Sequence, residues 1–163
     1  MEKGIPIDSM KPENIDRVQK ELSLLRAGES KTITFKDGSK IVYGSELVEN
    51  DDFQIMQSPG DYRLKVYWYT GALNAKYYLD YKIVSGKNND YIKSAHSESI
   101  IMVGGSYSNV KLTVPRKYET STRYAYSRLY FDYTYLGVNA RFNLYAHVGN
   151  NDWHTSLSLK DSK

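Results

Sequence analysis

Tyr124, Tyr126, Arg128 and Tyr130 fall on every second residue of one stretch, and Arg141, Tyr145 and His147 share one phase of a second alternating stretch further along. Side chains two apart on an extended chain share a face. Aromatic rings stack on sugars and bases, and a guanidinium fork grips an anion through two parallel hydrogen bonds. A flat Tyr/Arg surface suits a glycan or another protein, and these seven residues form the candidate ligand-binding set. The competing expectation is that a second sheet or a helix covers them. A sandwich needs many rings inside, and this chain has only 4 Phe. Arg63, Lys65, Tyr67 and Tyr69, with Lys76 and Tyr78, make a smaller stripe of the same kind.

Bond-making chemistry has a weaker footing. His96, His147 and His154 include no closely spaced pair. His147 and His154 flank the turn 149–152 with Asp152 nearby, but this spacing is no metal motif, and two surface histidines on one hairpin explain it. Asn88-Asn89-Asp90 and Asn150-Asn151-Asp152 lack the alternating acids of a calcium loop and read as turns. No metal or cofactor is expected. There is no Gly-x-Ser-x-Gly elbow, and Ser106 has no identifiable base. Two carboxylates flanking a sugar bond would make a glycosidase, and Asp80 with Asp132 is a pair that would have to converge across the sheet. No phosphate loop or dinucleotide glycine pattern occurs. No catalytic residue is assigned, and the chain is read as a non-enzyme.

These side chains need strands to position them. Val138, Ala140, Phe142, Leu144, Ala146 and Val148 alternate with polar residues, the mark of a strand with one dry and one wet face. Leu129, Phe131, Tyr133 and Tyr135 form the dry side of the strand that carries the Tyr/Arg stripe. Tyr62, Leu64, Val66 and Trp68, then Ala75, Tyr77, Leu79, Tyr81 and Ile83, predict a hairpin turning at Thr70-Gly71-Ala72. A second hairpin, Thr32–Phe35 with Lys40–Tyr43, turns at Asp37-Gly38. Residues 44–52 read as an acidic loop and Phe53–Gln57 as a short strand. Tyr91–Ala95, Glu98–Val103 and Val110–Val114 read as separate short strands, the last ended by Pro115. Arg123–Tyr135, Val138–Val148 and Trp153–Leu159 complete a set of eight to ten strands. Pro12–Ala27 is the one predicted helix. Pro12 suits its first turn, Ile15, Val18, Leu22 and Leu25 form its apolar stripe, and Gly28 closes it.

The chain has 163 residues and net charge +3, enough for one domain with a core. Tyrosine is the compositional outlier at 16 residues, and rings on strands explain most of that. Residues 1–60 carry 8 Lys/Arg against 11 Asp/Glu, whereas residues 61–163 carry 14 against 8. The β-rich part is therefore basic and favours an anionic partner, without the Lys/Arg run of a nucleic-acid arm. The absence of cysteine excludes disulfides, thiolate zinc sites and cysteine nucleophiles. No apolar stretch approaches the ~20 residues that cross a bilayer.

Leu24-Leu25-Arg26-Ala27-Gly28-Glu29-Ser30-Lys31-Thr32-Ile33-Thr34-Phe35 passes through a Gly-Glu-Ser turn into a strand. Gly60-Asp61-Tyr62-Arg63-Leu64-Lys65-Val66-Tyr67-Trp68-Tyr69-Thr70-Gly71-Ala72-Leu73-Asn74-Ala75 leads to Tyr77-Tyr78-Leu79-Asp80. Together they make the chain resemble a family of small exported β-domain proteins of Gram-positive bacteria with no assigned function. The resemblance spans most of residues 12–159 and rests on turn glycines and core aromatics. It implies export and a β-sandwich-like domain with an N-terminal helix, and carries over no catalytic residue.

The expected protein is mainly β, an antiparallel sandwich or flattened barrel with one N-terminal helix. Residues 1–11 form a flexible lead-in and 12–160 a single domain. The expected role is non-catalytic binding of a glycan, a cell-wall polymer or a protein, secreted or at the cell surface, with a signal peptide absent from this sequence. An immunity- or inhibitor-like protein-partner domain is the alternative, and a small hydrolase with carboxylates in a cleft a further one. No specific nucleic acid and no membrane span are expected.

Overall fold

A computed structural model describes residues 7–21, 25–26, 30–48, 60–84, 90–149 and 152–156. Within them the chain forms two five-stranded antiparallel sheets packed as a sandwich. The front sheet is a meander in chain order: β2 (Ser30–Thr34), β3 (Lys40–Leu47), β4 (Gly60–Tyr69), β5 (Leu73–Ile83) and β6 (Tyr91–Met102). The back sheet runs β1 (Leu25–Arg26), β10 (Asp152–Ser156), β9 (Val138–Gly149), β8 (Ala125–Tyr135) and β7 (Gly105–Arg116). The alternative of a barrel closed on itself is not adopted.

Alternation decides what is inside. Leu64, Val66, Trp68, Ala75, Tyr77 and Leu79 of the front sheet meet Leu129, Phe131, Phe142 and Leu144 of the back sheet, all fully buried. Trp68 meets Phe142 edge-on at 5.3 Å between ring centroids, and Phe142 lies 5.1 Å from Phe131. The side chain of Gly105 must be absent, because a Cβ there would collide with the Thr134 carbonyl where β7 approaches β8.

Several boundaries differ from the sequence expectation. The helix α1 spans Pro12–Glu21, not Pro12–Ala27. It buries Ile15 and Val18 as expected. Leu25 and Arg26, however, pair with Thr155 and His154, giving the edge of β10 a backbone partner that a helix cannot supply. Residues 7–11, read as part of the lead-in, are packed on the domain. Met10 is fully buried with its sulfur accepting the Thr70 hydroxyl at 3.1 Å, and Ser9 N–H donates to Ser39 Oγ at 2.9 Å. Gly44–Leu47 continue β3 instead of opening a loop, because they pair with Leu64–Tyr67. Tyr91–Ala95 and the stretch from Glu98 belong to one strand, β6, which ends at Met102 and whose register against β5 slips twice, near His96 and near Lys93. β7 runs through Pro115, which the edge of the back sheet tolerates, and the register slips between Thr113 and Arg116. Phe53–Gln57 lies outside the described residues.

Candidate recognition face

The outward face of the back sheet gathers the predicted site residues. Register pairs Tyr126 with His147, Arg128 with Tyr145, Tyr130 with Asn143 and Asp132 with Arg141. On the other side of β8, Arg116 faces Tyr126, Thr113 faces Arg128 and Lys111 faces Tyr130. Paired residues of an antiparallel ladder point the same way. Tyr124 lies just before β8, half-buried, and its carbonyl accepts Arg116 Nη1 at 3.0 Å.

The face divides into two halves. Tyr126, Tyr145 and His147 are only 8, 7 and 6% exposed, so these three are not the open surface that alternation suggests. Tyr126 stacks on His147 at 5.7 Å, lies 6.4 Å from Tyr145, and carries the Arg116 guanidinium 5.0 Å above its ring. Their outward aim stands, but neighbours seal them. The other half is open. Tyr130 is half-buried with the guanidinium groups of Arg128 and Arg141 at 4.4 and 5.1 Å from its centroid, close enough for cation–π attraction. Arg141 grips Asp132 with two N–H donors, Nε to Oδ1 at 2.8 Å and Nη2 to Oδ2 at 3.4 Å. Asn109, at φ 56° in a register slip of β7, donates its amide to Asp132 Oδ2 at 2.8 Å. These donors hold the Asp132 carboxyl below the usual range, first through Arg141 and then through Asn109. Beside the pair is a shallow depression of about 440 Å³ lined by Ser106, Ser108, Asp132, Thr134 and Asn139.

The front sheet carries a cluster that the sequence reading missed. Arg63 donates Nε to Asp80 Oδ1 at 2.7 Å and Nη2 to Oδ2 at 3.0 Å. Asp80 Oδ2 also lies 3.0 Å from His96 Nε2, and His96 Nδ1 lies 2.8 Å from Ser97 Oγ. Ser97 is held at φ 59° in the β6 bulge. The order Ser–His–Asp resembles a nucleophile relay, but Arg63 engages both oxygens of Asp80, leaving less carboxylate charge to stabilise an imidazolium. The result is an ion-pair network on an open sheet surface. Alternation about the turn at Thr70-Gly71-Ala72 is a signal that could have set Arg63 opposite Asp80; the bulge that brings in His96 has no comparable sequence signal. The two sheets also repeat one device: an Asp on β5 or β8, an Arg fork from β4 or β9, and a positive-φ residue from β6 or β7.

Other expected pairings fail or fall outside view. Asp80 and Asp132 point away from the core on opposite sheets, so they do not converge. His147 and His154 are register partners, but the His154 and Asp152 side chains lie outside the described residues. Asp90 is fully buried and hydrogen-bonded on two sides, while Asn88 and Asn89 lie outside the described residues. The Asp90 Oδ1 accepts Val84 N–H at 2.9 Å, and its own N–H donates to Glu119 Oε1 at 3.0 Å.

No family model and no curated protein matches this chain. Among solved structures, the fold is similar to that of a hypothetical protein from Listeria monocytogenes EGD-e, with a TM-score of 0.50 and 22% identity. The match covers 78% of this chain and 91% of that one. A structural neighbour of this sandwich is thus an uncharacterised protein from a Gram-positive bacterium.

Proposed function

We propose that this protein is a non-catalytic binding domain, exported and acting at or beyond the cell surface, that holds a glycan or cell-wall polymer on the open half of the back-sheet face. The observation that carries this reading is the depression beside Tyr130. Its hydroxyls, its amide and the fixed Asp132 carboxylate are the groups that satisfy sugar hydroxyls, and Tyr130 with its two guanidiniums follows two residues along β8 from Asp132. Export rests on the sequence resemblance. No helix among the described residues is long and apolar enough to cross a membrane.

A glycan array and a cell-wall pulldown at low salt test the reading. Binding that falls at least tenfold in Tyr130→Ala and in Asn139→Ala supports it. No enrichment on any glycan or wall fraction counts against it.

A protein partner is the second reading, favoured by Ile101 and Val103, which are 58 and 63% exposed near the β6–β7 turn. Exposed apolar side chains grouped at one end mark association surfaces. A stable complex lost on Val103→Asp, with Tyr130→Ala still binding, would favour it.

A further inference from the structure

We infer that the ligand of the back-sheet face is an acidic polysaccharide strand, and that Arg128 and Lys111 are the residues that select it. This rests on the binding reading above and names its ligand class. Lys111, Arg116, Arg128 and Arg141 all lie on this face, and Asp132 is the one acidic residue among the described positions of β7, β8 and β9. That carboxylate is already committed to Arg141 and Asn109.

The side chains of Lys111 and Arg128 have no hydrogen bond or ion pair among the described residues. Arg128 Nε is sealed from solvent without an acceptor, and so is Thr113 Oγ1, its register neighbour. The sealed Nε raises the cost of leaving this guanidinium unpaired, and an incoming anion meets it at the terminal Nη groups, which have no acceptor among the described residues. On the front sheet carboxylates neutralise three outward cations: Arg63 meets Asp80, Lys65 meets Glu46 at 2.8 Å and Lys93 meets Asp61 at 3.3 Å, while Lys76 and Lys82 have no ion pair among the described residues. The back-sheet face has one acid among its described residues, already paired with Arg141, so Lys111 and Arg128 keep their charge available.

Shape points to a polymer. On the open half the cations Arg141, Lys111 and Arg128 span the register from Asp132 to Arg128, four residues or about 13 Å of strand. That run is longer than a single small anion. Two guanidiniums already engage the Tyr130 ring, so charged N–H groups, more than a bare aromatic face, meet an incoming ligand. The hydroxyl-lined depression at one end favours a sugar backbone over a nucleic acid, whose bases need open aromatic platforms.

The test is equilibrium binding of the whole chain to three uronate polymers (polygalacturonate, alginate and hyaluronate), to neutral dextran and to an oligothymidylate. The expected result is binding to at least one uronate polymer that weakens steeply with salt. Arg128→Gln should weaken it at least tenfold, Lys111→Gln about threefold, and Arg128→Lys less than Arg128→Gln, with Lys36→Gln as an unchanged surface control. Near-ultraviolet circular dichroism checks that each variant is folded, and Lys111, being exposed, keeps the test valid if Arg128→Gln unfolds. Preference for dextran, or tighter binding to the oligonucleotide, overturns the inference. If dextran binding is lost in Tyr130→Ala, the glycan reading survives without it. Binding to neither acidic nor neutral glycan overturns both.

Discussion

The hydroxyl of Tyr77 on β5 and that of Ser127 on β8 lie 2.9 Å apart in the middle of the sandwich, joining the two sheets by a buried hydrogen bond. Tyr77 also points its O–H towards the Leu144 carbonyl at 3.4 Å. A phenol this deep would be costly without such a partner. Tyr77→Phe strands the fully buried Ser127 hydroxyl, and Ser127→Ala leaves Tyr77 only its longer contact. Each change should cost about 1–2 kcal/mol in urea unfolding. The double variant should cost less than the sum, with a coupling on the order of 1 kcal/mol. Full additivity would show that the bond contributes nothing.

Burial also sets how the tyrosines ionise. It pushes Tyr43 and Tyr133 up to about 12, and it pushes Tyr77 higher still despite its bond to Ser127. A phenol whose folded value is raised favours the native state while neutral. That contribution is complete below the unfolded value of about 10 and is lost as pH rises through the folded value. Ultraviolet titration of the native protein should leave these rings un-ionised at about pH 11, one unit above the ordinary phenol. Stability should fall from about pH 10 upward, through the interval between the unfolded and folded values. All sixteen phenols titrating together near the ordinary value would contradict the packing.

The Arg63 fork, and secondarily His96, hold the Asp80 carboxyl below its ordinary value. A depressed carboxyl gives stability that is present above its unfolded value of about 3.9 and is lost as pH falls through the lower folded value. Asp80→Asn should therefore flatten the acid limb of the stability curve below about pH 4, and Arg63→Gln should do the same. At neutral pH each should cost about 1 kcal/mol, since the pair is partly open to solvent. The Asp132–Arg141 pair shifts in the same direction on a more exposed surface. Acid titration by NMR of the two carboxyls would separate the cases.

Gly105→Ala should destabilise by about 1–3 kcal/mol, because the added methyl collides with the Thr134 backbone carbonyl, which cannot swing aside as the Met102 side chain beside it can. Gly38→Ala, in the β2–β3 turn at φ 86°, meets no atom within 4 Å and should cost less, through backbone strain alone. Comparing the two thermal midpoints checks the distinction. Equal losses would show that β7 can move away from β8.

Strand phase was legible in the sequence. Leu129, Phe131, Phe142 and Leu144 face the core because alternation is a local property of the pleated chain, independent of partners. The β4–β5 pairing was legible too, because a short turn between two alternating runs leaves only one register that buries both dry faces. The end of α1 was not, since Leu25 continues a helical stripe in sequence yet is drawn to β10 from the far end of the chain.

The linear chain thus determined which side chains turn away from the core, and so brought Tyr124, Tyr126, Arg128, Tyr130, Arg141, Tyr145 and His147 under consideration together. Tertiary structure alone decided which of them meet solvent. Tyr126, Tyr145 and His147 pack against one another across β8 and β9, with Arg116 reaching over from β7, whereas Tyr130, Arg128 and Arg141 stay accessible beside the depression. Exposure of an outward residue depends on what distant strands place over it, and a period of two residues contains no information about distant strands.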